Sequence, residues 1–390
     1  MPELICFTGD NVLVGNTLDL EQNVSLNVEN GRIISVGEPI KDAVQVKFES
    51  ALICPMFINA HCHLGDTGAK EMGVGIPMEL LVSAPNGLKH RFLSKLTRDV
   101  HISQMRHGLE EMLTNGIIAC GDFREQGFEG VLRLREASIG LPIQLKILGR
   151  ISESASEKQM LEEAYQVLDA SDGLGVRDVD CYPTSLLEKL RSIFPGKLFA
   201  AHVAENNLAE KESIKKYGFG QAVRSLSWRP DILVHLTHSS QNEMKKLQSS
   251  GVRVVSCPRT NSILGDGIPD LKSWIESGIE FGLGTDNMLA TSPNMLMEMD
   301  YASRLIRGVN QDPGCIDSKT LLMSATINGA KVLKLEGDLG SLSPGKQANF
   351  IVFDLESLNL KYTQDLISGL VNRAGVCDIK NIYIEGEKYK

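Results

Sequence analysis

The chain has 390 residues, 42% of them hydrophobic and 23% charged, and carries a formal net charge of −9. That length suits one large α/β barrel with an accessory piece, or two ordinary domains, and the composition speaks against long disorder. An acidic balance without a basic block speaks against nucleic acid or an anionic membrane as the main partner, which leaves a small molecule.

Eight cysteines are scattered with no CxxC spacing, the pattern of reduced thiols in a cytoplasmic protein rather than a disulfide framework or zinc knuckle. The start "MPELICFTGDNVLVG" has neither the basic beginning nor the apolar stretch of a signal peptide, and no run reaches the roughly 18 apolar residues of a membrane span. A soluble cytoplasmic protein is expected, with homodimer formation left open.

In chain order, "NVLVGNTLDL" and "VSLNVENGRIISVG" read as strands, with "ENGR" as a hairpin turn. From residue 51 eight short apolar runs follow: "ALICPMFINA", "GIIACGDF", "IQLKILGR", "GLGVRDV", "KLFAAHVAE", "DILVHLTH", "VRVVSCP" and "IEFGLGTD". Between them lie segments of helical period such as "HISQMRHGLEEMLTNG", "EKQMLEEAYQVLDAS", "PTSLLEKLRSIF", "QNEMKKLQSSG" and "IPDLKSWIESG", several closed by glycine. The tail returns to strands in "ANFIVFDL" and "IKNIYIEGEKY". Strand and helix alternating eight times predict an α/β fold, a (β/α)8 TIM-like barrel over 51–336, although a doubly wound sheet fits the first half equally well. Residues 1–50 and 337–390, each too short for its own core, are expected to pair into one small β-sandwich domain.

Polar residues recur at the ends of these runs, where a barrel carries its chemistry. His61 and His63 end the first, Asp122, Arg124 and Glu125 follow the second, and His202 and Glu205 end the fifth. His235 ends the sixth, Arg259 and Asn261 follow the seventh, and Asp286 closes the eighth. In "NAHCHLGD", residues two apart on a strand face one way, so His61 and His63 converge while Cys62 points away from any base that could activate it. Any one of these histidines could be a satisfied core residue, but that reading explains poorly why they gather at the same strand ends. Three imidazoles and a carboxylate converging on one mouth suit zinc first and iron second.

"NAHCH", "HVAE", "LVHLTH", "CPRTN" and "GLGTDN", in this order and spacing, resemble the amidohydrolase superfamily in its cytosine-deaminase-like and chlorohydrolase-like aminohydrolase branch. The tail "SATINGAKVLKLEGDLGSLSPGKQANFIVFD" looks like that family's return to its small β domain. The resemblance implies one divalent metal ion on His61, His63, His202 and Asp286, with Glu205 shuttling protons and His235 orienting and polarising a metal-bound hydroxide. No lysine stands in "GLGVRDVD", so the carbamylated lysine of two-metal branches is missing. The implied reaction is hydrolysis of a carbon–nitrogen, non-peptide bond. Its expected form is loss of an exocyclic amine from a nucleobase, nucleoside or related heteroaromatic ring. A same-fold hydrolase that displaces another leaving group or opens a cyclic amide is the alternative, and a non-catalytic scaffold the remote one. The chain departs from the branch at Thr260, often serine there, and at Asn287, often glycine.

Substrate contacts are expected from Arg124 and Glu125, just past the second strand, with a salt bridge between loops as the plain alternative. Arg259 and Asn261 are candidates beyond the seventh strand. Lys89, His90 and Arg91, in the loop "APNGLKHRF", could act as a lid that meets an anionic substrate, or form a solvated basic turn. Glu205 could instead cap the helix that follows it.

Overall fold

The computed structural model describes residues 4–83, 86–153 and 156–390; the first two positions of "APNGLKHRF" lie outside them. The chain ends build a seven-stranded mixed sheet. Its strands are β1 (Leu4–Val14), β2 (Asp19–Glu29), β3 (Arg32–Gly37) and β4 (Val44–Pro55), joined by three strands of the tail. The β2–β3 connection is the two-residue turn Asn30-Gly31, both with positive φ (52° and 73°), the backbone that an Asn-Gly hairpin supplies at least cost. Phe7, Phe48, Phe350 and Tyr383 fill one face, with ring centroids 4.8–6.4 Å apart.

The apolar run "ALICPMFINA" serves two sheets. Ala51–Pro55 end β4, and a new strand, β5 (Phe57–His63), starts after Met56. An unbroken apolar run has no period from which to read such a division.

The other sheet is parallel and has nine strands. After β5 come β6 (Ile117–Arg124), β7 (Gln144–Gly149), β8 (Gly173–Val176), β9 (Leu198–Val203), β10 (Ile232–His235), β11 (Arg253–Ser256), β12 (Phe281–Leu283) and β13 (Asp286–Asn287). The tail strands of the mixed sheet are then β14 (Phe350–Asp354), β15 (Ile379–Ile384) and β16 (Glu387–Lys388). The mixed sheet runs β16-β15-β14-β4-β1-β2-β3, and the parallel one β12-β11-β10-β9-β8-β7-β6-β5-β13. β5 and β6 are buried along their whole length, as a parallel sheet covered on both faces requires. Helices at Arg98–Thr114, Glu157–Ala170, Thr184–Ile193, Gln241–Ser250 and Leu271–Glu276 fall where helical periods predicted them. Gly251, at φ 75°, ends one of them.

Contacts divide the chain into two units, residues 1–58, 112–118 and 294–390 in one, and 59–111 with 119–293 in the other. All the polar residues singled out above belong to the second. Among the described residues no helix is long and apolar enough to cross a membrane.

Candidate metal and active site

β13 begins three residues after β12 ends but pairs at the opposite edge of the sheet, Asp286 beside Cys62 and Asn287 beside His63. Glycine makes that approach feasible, because a Cβ on Gly284 would stand 2.8 Å from the Cβ and carbonyl oxygen of His61. Asn59 ties the same segment down, donating to Thr285 Oγ1 (2.7 Å) and accepting from the Thr285 amide (3.0 Å). The carboxylate is thereby delivered to the two histidines of β5.

The polar groups then converge. Asp286 Oδ1 lies 3.2 Å from His61 Nε2 and 3.2 Å from His63 Nε2, and His202 Nε2 lies 3.2 Å from His61 Nε2. Cys62 points elsewhere and is buried, and burial pushes its thiol well above its ordinary pKa, the opposite of an activated nucleophile.

The donor set fits a divalent cation. His202 Nδ1 faces the Arg177 carbonyl at 3.1 Å, and His63 Nδ1 faces the Phe123 carbonyl (3.1 Å) and Glu125 Oε1 (2.9 Å). Both Nδ1 atoms therefore donate, which turns both Nε2 atoms toward the shared centre. Burial lowers the pKa of His61 to about 3 and that of His202 well below the ordinary value, so both keep free lone pairs. Ligands about 2.0–2.1 Å from a tetrahedral zinc stand about 3.3 Å apart; His61, His63 and Asp286 form one group with contacts near that spacing, and His202 meets it at His61. Asp286 Oδ2 is buried and has no protein partner.

Glu205 and His235 stand beside this centre. Glu205 Oε1 is 3.4 Å from His235 Nε2, and Asn261 Nδ2 donates to His235 Nδ1 at 3.1 Å, which keeps the ring proton on Nε2, the side of Glu205. Burial, then the Asp286 carboxylate, push Glu205 up to about 8. Glu205 does not cap the next helix; Asn206 does, accepting from the amides of Leu208 (2.7 Å) and Ala209 (3.3 Å). Ala204, His235, Leu236 and Asp286 all have φ between 47° and 75°. Left-handed backbone costs a non-glycine residue about 1–2 kcal/mol, and at these four positions it falls on residues that carry or flank the side chains of the site.

A cavity of about 290 Å³ opens on His63, His202, Glu205, His235 and Asp286. Its wall includes Glu79, Arg150, Arg177, Asp178 and Gln221, none of them singled out from the sequence. Arg150 ends the third apolar run and Arg177 directly follows β8 within the fourth, where the strand-end rule would have found them.

The expected substrate contacts distribute differently. Arg124 is wholly buried and lies outside the cavity wall, its guanidinium on Glu125 and 3.4 Å from Asp122 Oδ1. Glu125 is also outside that wall and holds His63. His90 Nε2 donates to the Val82 carbonyl at 3.1 Å, and Arg259 donates to the Ser292 carbonyl at 3.1 Å; neither lines the cavity. Asn261 acts on His235. Only Lys89 of this group lines the cavity, as a buried residue rather than a lid tip. Arg124→Met leaves Asp122 and Glu125 short of a cation in the interior, so the expected outcome is a destabilisation of roughly 3–5 kcal/mol, read by denaturant unfolding, rather than a KM effect.

A family model for the amidohydrolase family matches residues 52–388. The chain belongs to the amidohydrolase family. It is 33% identical to an uncharacterized protein of Methanocaldococcus jannaschii over 91% of this chain and 92% of that one. It is 26% identical to a 5-methylthioadenosine/S-adenosylhomocysteine deaminase of Acetivibrio thermocellus over 96% and 93% of the two chains. Its fold matches the zinc-bound crystal structure of an adenosine deaminase from Xanthomonas campestris with a TM-score of 0.86 at 20% identity, covering 98% of this chain and 92% of that one. This amidohydrolase is thus a hydrolase by family, and its His/Asp cluster suits a divalent metal.

Proposed function

We propose that this amidohydrolase removes an exocyclic amine from a nucleobase, nucleoside or related heteroaromatic ring, using one divalent ion, zinc first, on His61, His63, His202 and Asp286. The observation that carries the reading is the close group of His61 Nε2, His63 Nε2 and Asp286 Oδ1, to which His202 Nε2 is joined through His61, with Glu205 on the cavity side. We also take β5 to β13 as a closed (β/α)8 barrel, β12 and β13 being two halves of its eighth strand. The relatives named as deaminases support the choice of reaction.

The bound ion supplies Lewis acidity, which makes water a nucleophile at neutral pH. Asp286 Oδ2, buried and otherwise unpartnered, accepts the proton that water gives up. Glu205, whose protonated form burial and the Asp286 carboxylate favour, donates to the ring nitrogen next to the carbon under attack, then takes the proton of the hydroxyl gained by that carbon and passes it to the amine, which leaves as ammonia while the oxo group forms; the proton held by Asp286 restores Glu205. His235 Nε2–H, held in that tautomer by Asn261, stabilises negative charge developing on the attacking oxygen.

The test is ammonia release from a panel of aminated purines, pyrimidines and pterins. One mole of ammonia per mole of oxo product from at least one of them is the expected outcome. Turnover only of halogenated rings or cyclic amides, without ammonia, rejects deamination in favour of another leaving group or ring opening.

A further inference from the structure

Lys89, in the helix Leu88–Leu93, is almost wholly buried and surrounded by acceptors. Its Nζ lies 2.7 Å from Asn287 Oδ1, 2.7 Å from Glu125 Oε1 and 3.1 Å from Asp66 Oδ2. Asn287 and Glu125 stand at hydrogen-bonding distance and Asp66 pairs with the charge, so Lys89 on the cavity wall already has partners within the protein.

Two of these contacts complete a chain. His63 Nδ1–H donates to Glu125 Oε1 (2.9 Å), which also accepts from Lys89; Lys89 donates to Asn287 Oδ1, and Asn287 Nδ2 donates to Asp286 Oδ1 (3.0 Å). His63 ends β5 and Asp286 begins β13. Their own 3.2 Å contact closes the loop at the other side.

We propose that Lys89 is a positioning residue that locks two metal ligands, His63 through Glu125 and Asp286 through Asn287, into one metal-binding geometry. The inference rests on the metal-site reading above. By directing Asn287 onto Oδ1, the chain also leaves Oδ2 as the Asp286 oxygen without a protein partner.

The test uses zinc alone as probe. Metal-free wild type, Lys89→Met, Asn287→Ala and the double variant are titrated against a chelator of known affinity, and the melting temperature of each metal-free protein is recorded. Each single substitution is expected to raise the zinc Kd about 10–100-fold, the usual loss when the partners of a metal ligand are removed. The double variant should bind no worse than the weaker single one, because both cuts sever the same chain. Asn287→Ala leaves Lys89 with both its carboxylates, so its metal-free melting temperature should hold while zinc affinity falls, a split that a merely structural role would not give. It also carries the test if Lys89→Met fails to fold. A zinc Kd within about twofold of wild type in Asn287→Ala, or losses that simply multiply in the double variant, overturns the proposal. Wild type that binds no zinc instead overturns the metal-site reading beneath it.

Discussion

Glu205→Gln is expected to lower kcat by about 10²-fold or more, about 3 kcal/mol of transition-state stabilisation, while metal content stays at the wild-type level. Glutamine keeps the size of the side chain and much of its hydrogen bonding but cannot cycle a proton. Glu205 approaches His235 rather than the histidine pair of β5, so its loss removes no ligand in the proposed set. The melting temperature should also hold, because Asn206 supplies the helix cap. Measuring kcat, metal content and melting temperature on one preparation separates these effects; retained turnover would contradict the proton-shuttle role even with the metal site intact.

His202→Ala should behave in the opposite way, losing metal and rate together. The imidazole is fixed at Nδ1 by the Arg177 carbonyl and presents Nε2 to the centre 3.2 Å from His61 Nε2. Its removal leaves three ligands, a cavity and no replacement donor, so metal in protein purified without supplement should fall below about half an equivalent. Elemental analysis checks this, and full occupancy in His202→Ala would remove His202 from the ligand set. Together the two variants assign metal binding and proton transfer to different residues only three positions apart.

Much of this site is legible in the sequence because it sits on regular strands. The two-residue period turns His61 and His63 to one side and Cys62 to the other, and the recurrence of polar residues at strand ends picks out His202, Glu205, His235 and Asp286. The Asn30-Gly31 turn is equally local. The charged residues in loops are harder to read. Arg124 and Glu125 look like substrate contacts because they stand just past a strand; in the fold they pair with each other, Arg124 also faces Asp122 on its own strand, and Lys89, itself paired with Asp66, arrives from a distant helix to complete a buried ionic network. Lys89 resembles a mobile lid residue because its own partners are distant in the chain. The division of "ALICPMFINA" between two sheets is hidden because full burial erases the period that would reveal it.

The central claim is that a single ion on His61, His63, His202 and Asp286 runs the reaction, and its most direct measurement is a zinc titration of the metal-free protein followed by ammonia release from the aminated ring that the panel identifies. The rate should rise linearly with added zinc and stop rising at about one equivalent, since four ligands complete one tetrahedral site. Full turnover in the metal-free protein, or a rise that continues to two equivalents, would contradict it.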